Sequence, residues 1–312
     1  MRSIKLGGAL LIIGQFAVAA MAAVGDLHVT SDALNKSMVY NGVSGLTISD
    51  PFTTVAAGAQ GPLGVHVGTT NNRMLVGHFT GGVNEFDANT GAYVKTYNVG
   101  ASSMNWAGVY APNGDVYAGD SATNSIYRYD ANTGAQIGTF ANMPAPSDMR
   151  IGPNGNLYVC SFTPGGGVWE FNATNGAFVS QWATPPTTLA NDIAFLPDGR
   201  ILVTTMDVFG PGGSDNRVWV YDAAHTLLTS FAGTGWGRPH GIDISPHDGN
   251  IYVIDGVTAQ AHVFDPATYG ELNAAFLVPY PSAKTVDLEF RRIPEPAGAA
   301  LIIGALFLLR WR

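Results

Sequence analysis

Between its two ends the chain alternates short apolar runs with turn signals, and no helical periodicity interrupts the pattern. In Met149-Arg-Ile-Gly-Pro-Asn-Gly-Asn-Leu-Tyr-Val159 two runs flank a Pro-Asn-Gly turn. Asp192-Ile-Ala-Phe-Leu-Pro-Asp-Gly-Arg-Ile-Leu-Val203 and Gly241-Ile-Asp-Ile-Ser-Pro-His-Asp-Gly-Asn-Ile-Tyr-Val-Ile-Asp255 repeat the arrangement. Such pairs predict β-hairpins. A second pattern follows each pair: Val83-Asn-Glu-Phe-Asp-Ala-Asn-Thr-Gly91, Ile126-Tyr-Arg-Tyr-Asp-Ala-Asn-Thr-Gly134 and Val168-Trp-Glu-Phe-Asn-Ala-Thr-Asn-Gly176. Its closing Asn and Gly suit the positive φ of a tight turn, so it predicts a third strand turning into a fourth.

The third-strand aromatic recurs at Tyr40, Phe86, Tyr129, Phe171, Tyr221 and Phe264, at intervals of 46, 43, 42, 50 and 43 residues. A period in the forties with four short strands per unit predicts an all-β, six-bladed β-propeller, with seven blades the competing count. The first unit has no inner strand before Leu27, and Val286-Asp-Leu-Glu-Phe290 has no blade after it. The C-terminal strand is therefore expected to complete the N-terminal blade and leave the ring without a free edge.

The ends follow other rules. Arg2 and Lys5, the apolar stretch Leu6 to Ala20, and Ala20-Met21-Ala22 read as a signal peptide over residues 1–22. Residues 23–292 form the propeller, and residues 293–312 carry Pro294-Glu295-Pro296, an apolar run from Ala297 to Leu309 and a basic end. That run is shorter than the roughly 20 residues of a spanning helix. The formal net charge of −8 becomes more negative once Arg2, Lys5, Arg310 and Arg312 leave with the signals. An acidic surface repels nucleic acid and anionic lipid, which sets those partners aside. Cys160, the only cysteine, sits in an apolar run and reads as a buried small hydrophobe, so no internal disulfide is expected.

Aligning the units on Ile242 brings His240, Asn191, Ser147, Trp106, Leu63 and Lys284 to one position at the start of the inner strands. Gly241, Asp192, Asp148, Ala107, Gly64 and Thr285 fall at the next. Asp148, Asn191, Asp192 and His240 are thus expected to converge on adjacent blades at one channel mouth. Two carboxylates and an amide oxygen suit calcium or another divalent cation, and an imidazole suits a base. The opposing reading has Asn191 and Asp192 capping strands and His240 bonded in the wall. Asp87-Ala-Asn-Thr-Gly91 and Asp130-Ala-Asn-Thr-Gly134 lack the full ligand run of a calcium loop and read as turns.

Pro239-His-Gly-Ile-Asp-Ile-Ser, Gly249-Asn-Ile-Tyr-Val-Ile-Asp255 and Ala261-His-Val-Phe-Asp265 resemble the repeat of NHL and gluconolactonase-like six-bladed propellers. The resemblance implies a divalent cation held by Asp148, Asn191 and Asp192, with His240 as general base, if the chain is an enzyme. An acidic ligand near the chain start belongs to that pattern, and neither Asp26 nor Asp32 lies in an evident inner strand. The chain is therefore read first as a non-catalytic binding or scaffold module, with a metal-dependent lactonase or lyase as the alternative. The tail at Pro294-Glu295-Pro296 resembles a PEP-CTERM signal. It implies exosortase-type sorting machinery of a Gram-negative bacterium, transient membrane contact through the C-terminal segment, release or attachment at the cell surface, and exopolysaccharide or surface proteins as partners.

Overall fold

The computed structural model describes residues 25–53, 59–97, 104–106, 108–182, 184, 188–207, 213–278 and 284–292. The signal peptide, Pro294-Glu295-Pro296 and the rest of the tail, and Ala107 lie outside them. Six four-stranded antiparallel sheets form a six-bladed propeller. Five blades are continuous in sequence, with inner strands Gln60–Val67, Gly108–Tyr110, Pro146–Ile151, Thr188–Phe195 and Pro239–Ile244. The sixth is composite: Asp287–Phe290 forms its inner strand and pairs with Leu27–Ser31, Leu27 opposite Phe290 and Thr30 opposite Asp287. The ring closes as the sequence predicts, and the alternate side chains explain how it holds. Met38 and Tyr40 point toward Tyr252 and Val263 of the preceding blade, while Val39 between them packs with Val65, Met74 and Phe86 of the next. Successive strand residues face opposite sides, so each blade is apolar on both faces and a core fills every gap between neighbours.

The repeated turn is built by its aspartate. Asp87 Oδ1 accepts from the Asn89 and Thr90 amides, each at 3.0 Å, and from the Thr90 hydroxyl. Asp130 and Asp265 do the same in their blades. Burial opposes these bonds at Asp87, yet they hold the Asp87 and Asp130 carboxyls below the usual range, and in each turn they fall on one oxygen, Oδ1. Gly91, Gly134 and Gly176 then take φ of +70° to +75°. Cys160 is fully buried, and burial pushes its thiol well up, as expected of a packing residue.

Burial also neutralises histidines. His28 lies within the N-terminal blade with neither ring nitrogen hydrogen-bonded, and desolvation followed by the charge of Arg291 pushes its pKa down to about 3. The unfolded chain protonates this group near 6.5 and the folded chain does not. Stability is thus fully present above pH 6.5 and is lost as pH falls toward the folded value. Replacing His28 with leucine is expected to remove that loss, flattening the slope of unfolding free energy by about 1.4 kcal/mol per pH unit between pH ~6 and ~4. Denaturant titrations across this window measure it; an unchanged slope would contradict the assignment.

The candidate site: a charged channel with two unlike mouths

The six inner strands run side by side around the axis, and every second residue faces inward. One inward ring contains Gly64, Asp148, Asp192, Gly241 and Asp287. Two residues further along, the next contains His66, Val109, Arg150, Ala194, Asp243 and Glu289. The equivalence is written in hydrogen bonds. Asp192 reaches the Ile193 amide on its own strand and the Ile242 amide on the next blade, at 2.6 and 2.7 Å. Asp287 likewise takes Leu288 and Val65, at 2.8 and 2.7 Å. These bridging carboxylates tie each blade to its neighbour.

This register corrects one expectation. Val286 and Asp287, not Lys284 and Thr285, occupy the two positions at the mouth. Lys284 instead pairs with Asp32 at 2.8 Å, and the Thr285 hydroxyl reaches the Asp255 carbonyl at 3.4 Å. A shift of two residues leaves the in-and-out alternation intact, so the apolar pattern of this short strand fits either register. The inner strand of the composite blade thus brings two acids, Asp287 and Glu289, into the channel.

At the mouth where the inner strands begin, Asp148, Asn191, Asp192 and His240 do converge. They line a cavity of about 20 Å³ with Asp287, Trp106 and Val286. That volume holds about one water. Leu63, Trp106 and Val286 form an apolar plug there, backed by Phe162 with its ring 4.7 Å from that of Trp106. The amide nitrogen of Asn191 donates to the Pro239 carbonyl at 3.1 Å, while Asn191 Oδ1 and both nitrogens of His240 have no protein partner. Burial, then the charges of Lys284 and Arg238, drive His240 down to about 3, opposed only by Asp255. An imidazole this weakly basic is a poor general base at neutral pH.

Arg150 occupies the channel between the mouths. Its guanidinium lies 3.4 Å from Asp192, 3.7 Å from Asp243, 3.7 Å from Glu289 and 3.9 Å from Asp148, and donates to the Ile242 carbonyl at 3.3 Å. Asp148 is buried beside Asp192. Burial and the Asp192 charge push its carboxyl well up, and burial and Asp192 raise Asp287 in the same way. Two of the expected cation ligands, Asn191 and Asp192, already hold partners within the protein. Asp192 is committed to two amides and Arg150, burial and the Asp192 charge push the Asp148 carboxyl up, and Asn191 Oδ1 has no protein partner. Among the described residues, no three His, Cys, Asp or Glu side chains are grouped to hold a metal.

The far mouth is wide. A cavity of about 590 Å³ opens above Arg150, Asp243 and Glu289, walled by His66, Tyr110 and Phe195 and rimmed by Arg292. Arg292 binds Asp243 and donates to the Ile244 carbonyl at 2.9 Å. Space for Tyr110 and Phe195 depends on glycine. A Cβ on Gly68 would lie 2.9 Å from the Tyr110 ring, and one on Gly152 would lie 3.2 Å from Phe195 and 2.4 Å from Tyr158. Sequence reasoning did not find this half of the channel, although Arg150 and Asp243 each stand two residues beyond a position it did place; Glu289 was hidden by the misplaced register of its strand. The available signal was charge on the inward face of a strand.

No protein-family model and no curated protein matches the chain. Solved structures do match. A chain in the crystal structure of a nidogen/laminin complex superposes with a TM-score of 0.64 at 11% identity, over 85% of this chain and 98% of that one. A Bacteroides caccae protein of unknown function gives 0.64 at 13%, over 84% and 97%. A catalytically inactive histidine-to-alanine variant of virginiamycin B lyase from Staphylococcus aureus, with quinupristin, gives 0.57 at 14%, over 75% of both chains. At these identities the likeness is one of fold, which hosts unrelated functions.

Proposed function

We propose that this chain is an exported propeller of the cell surface or extracellular matrix that binds without catalysis. One observation carries the reading: Arg150 offsets by charge the four carboxyl groups around it, and the mouth holding His240 has room for about one water. The signal peptide and the Pro294-Glu295-Pro296 tail motivate the location, with exosortase-type machinery as the sorting partner. The fold shared with a chain of a nidogen/laminin complex is consistent with a binding role. Asn191→Ala and His240→Ala proteins are expected to associate with cell surface and matrix like the parent chain, measured by fractionation beside melting curves. Loss of association in folded variants would count against the reading.

A metal-dependent lactonase or lyase has one observation in its favour: the unpartnered Asn191 oxygen and His240 nitrogens share a cavity. The binding reading expects the same melting temperature with calcium, other divalent cations or chelator. A cation that binds only the folded state would raise it by mass action. A cation-specific rise, absent in Asn191→Ala, would favour the enzyme.

A further inference from the structure

We propose that the wide far mouth is a saccharide site, holding an uncharged sugar unit between aromatic walls above the Arg150 floor. The inference rests on the binding reading and gives it a ligand class. Its first support is size: about 590 Å³ falls within the roughly 300–1,000 Å³ of small-molecule pockets. Its second is charge. Among the residues lining the cavity two guanidinium groups, Arg150 and Arg292, face two carboxylates, Asp243 and Glu289, and Arg150 is shared with Asp148 and Asp192 beneath, so the floor and rim offer an anion no net attraction. Such a surface suits groups that both donate and accept hydrogen bonds, as hydroxyls do.

The third support is unused bonding capacity. Arg150 is nine-tenths buried, yet its Nη1 stands 3.7 Å from both Asp243 and Glu289, beyond hydrogen-bond reach. A hydroxyl placed there would accept from the guanidinium and donate to a carboxylate. Arg292 Nε is a buried donor with no protein partner. The walls complete the site: Tyr110 and Phe195 supply apolar ring surface for the C–H face of a sugar. Gly68 and Gly152 leave space for both rings.

Isothermal titration of the purified protein with neutral glucose-, galactose- and N-acetylglucosamine-based oligosaccharides tests this, with sodium sulfate and a uronic-acid oligosaccharide as anionic probes. At least one neutral oligosaccharide is expected to bind, with affinity nearly independent of salt and at least tenfold weaker in Arg292→Ala and in Phe195→Ala. Tyr93→Ala, on an exposed outer strand, serves as the surface control and leaves it unchanged. Folding of each variant is verified by its melting curve, and Glu289→Gln, which keeps the side chain's shape, is expected to weaken binding as well. Saturation by the anionic probes alone, with affinity falling steeply in salt, would overturn the ligand class. So would the absence of binding by any neutral probe to folded protein. If surface association nevertheless persisted and depended on Arg292, the binding reading would survive that failure. Conversely, turnover of a bound sugar would overturn the binding reading and leave the saccharide site standing.

Discussion

Replacing Arg150 with methionine is expected to destabilise the fold by about 3–5 kcal/mol, the scale for removing one partner of a buried ion pair. The guanidinium lies within 3.9 Å of four carboxyl groups on four blades, Asp148, Asp192, Asp243 and Glu289. Without it these groups face one another across a channel of low dielectric. Asp148 and Asp287 already sit well above the usual carboxyl range because burial and Asp192 disfavour their charge, with Arg150 opposing on both and the Val65 amide also opposing on Asp287. Loss of Arg150 pushes both further the same way. Denaturant titration at neutral pH measures the deficit, which is expected to narrow in acid as the carboxyls take up protons. Arg150→Lys should recover only part of it, because a single ammonium cannot present a planar fork to several partners. A methionine variant as stable as the parent at neutral pH would show that the channel carboxyls do not need a counter-ion.

Deleting residues 284–292 is expected to abolish cooperative folding. The segment supplies the inner strand of the composite blade, and Leu288 and Phe290 are fully buried in it. Truncating such side chains to alanine costs about 2–5 kcal/mol for leucine and 3–5 for phenylalanine. The two together rival the total stability of a typical domain, roughly 5–15 kcal/mol. The deletion also removes Asp287 from Val65 and Glu289 from Val67, which join this blade to the next, and takes Phe290 from Asp243 on the other side. Phe290→Ala alone should retain a sharp melting transition at lower temperature. The truncated chain should show none, by circular dichroism and by protease resistance. A cooperative transition after truncation would mean that five and three-quarter blades fold without closure.

Blade count and closure were legible because each depends on local pattern. An aromatic before Asp or Asn marks every third strand, and a lone strand at the end had to find the blade that lacked one. The convergence of Asp148, Asn191, Asp192 and His240 was legible for a related reason, since each precedes its inner strand's apolar anchor at nearly the same offset. What was not legible depends on depth within the ring. Arg150 meets Ile242 and Glu289, which are remote from it in sequence, and nothing near Arg150 in the chain announces four carboxyl partners. The apolar spacing of Val286, Leu288 and Phe290 could not separate two registers two residues apart. Charge on inward positions held the missing information: read at period two, it points from Asp148 to Arg150, from Gly241 to Asp243 and from Asp287 to Glu289.

The ring closure also has a mechanical direction. Leu27 lies opposite Phe290, and the Gly25 amide donates to the Arg291 carbonyl at 2.6 Å, so the chain enters and leaves at the same end of the antiparallel pair. A pull applied between those two points would open the pair like a zipper, loading its hydrogen bonds one after another, each worth about 1 kcal/mol net. Strands loaded along their length would share the force among all their bonds at once. Of these two loadings, a pull between the chain's own ends is the one the closure resists less. A tether at the C-terminal end alone, with the opposing load borne by a ligand in the channel, spares the full closure from being pulled apart end to end.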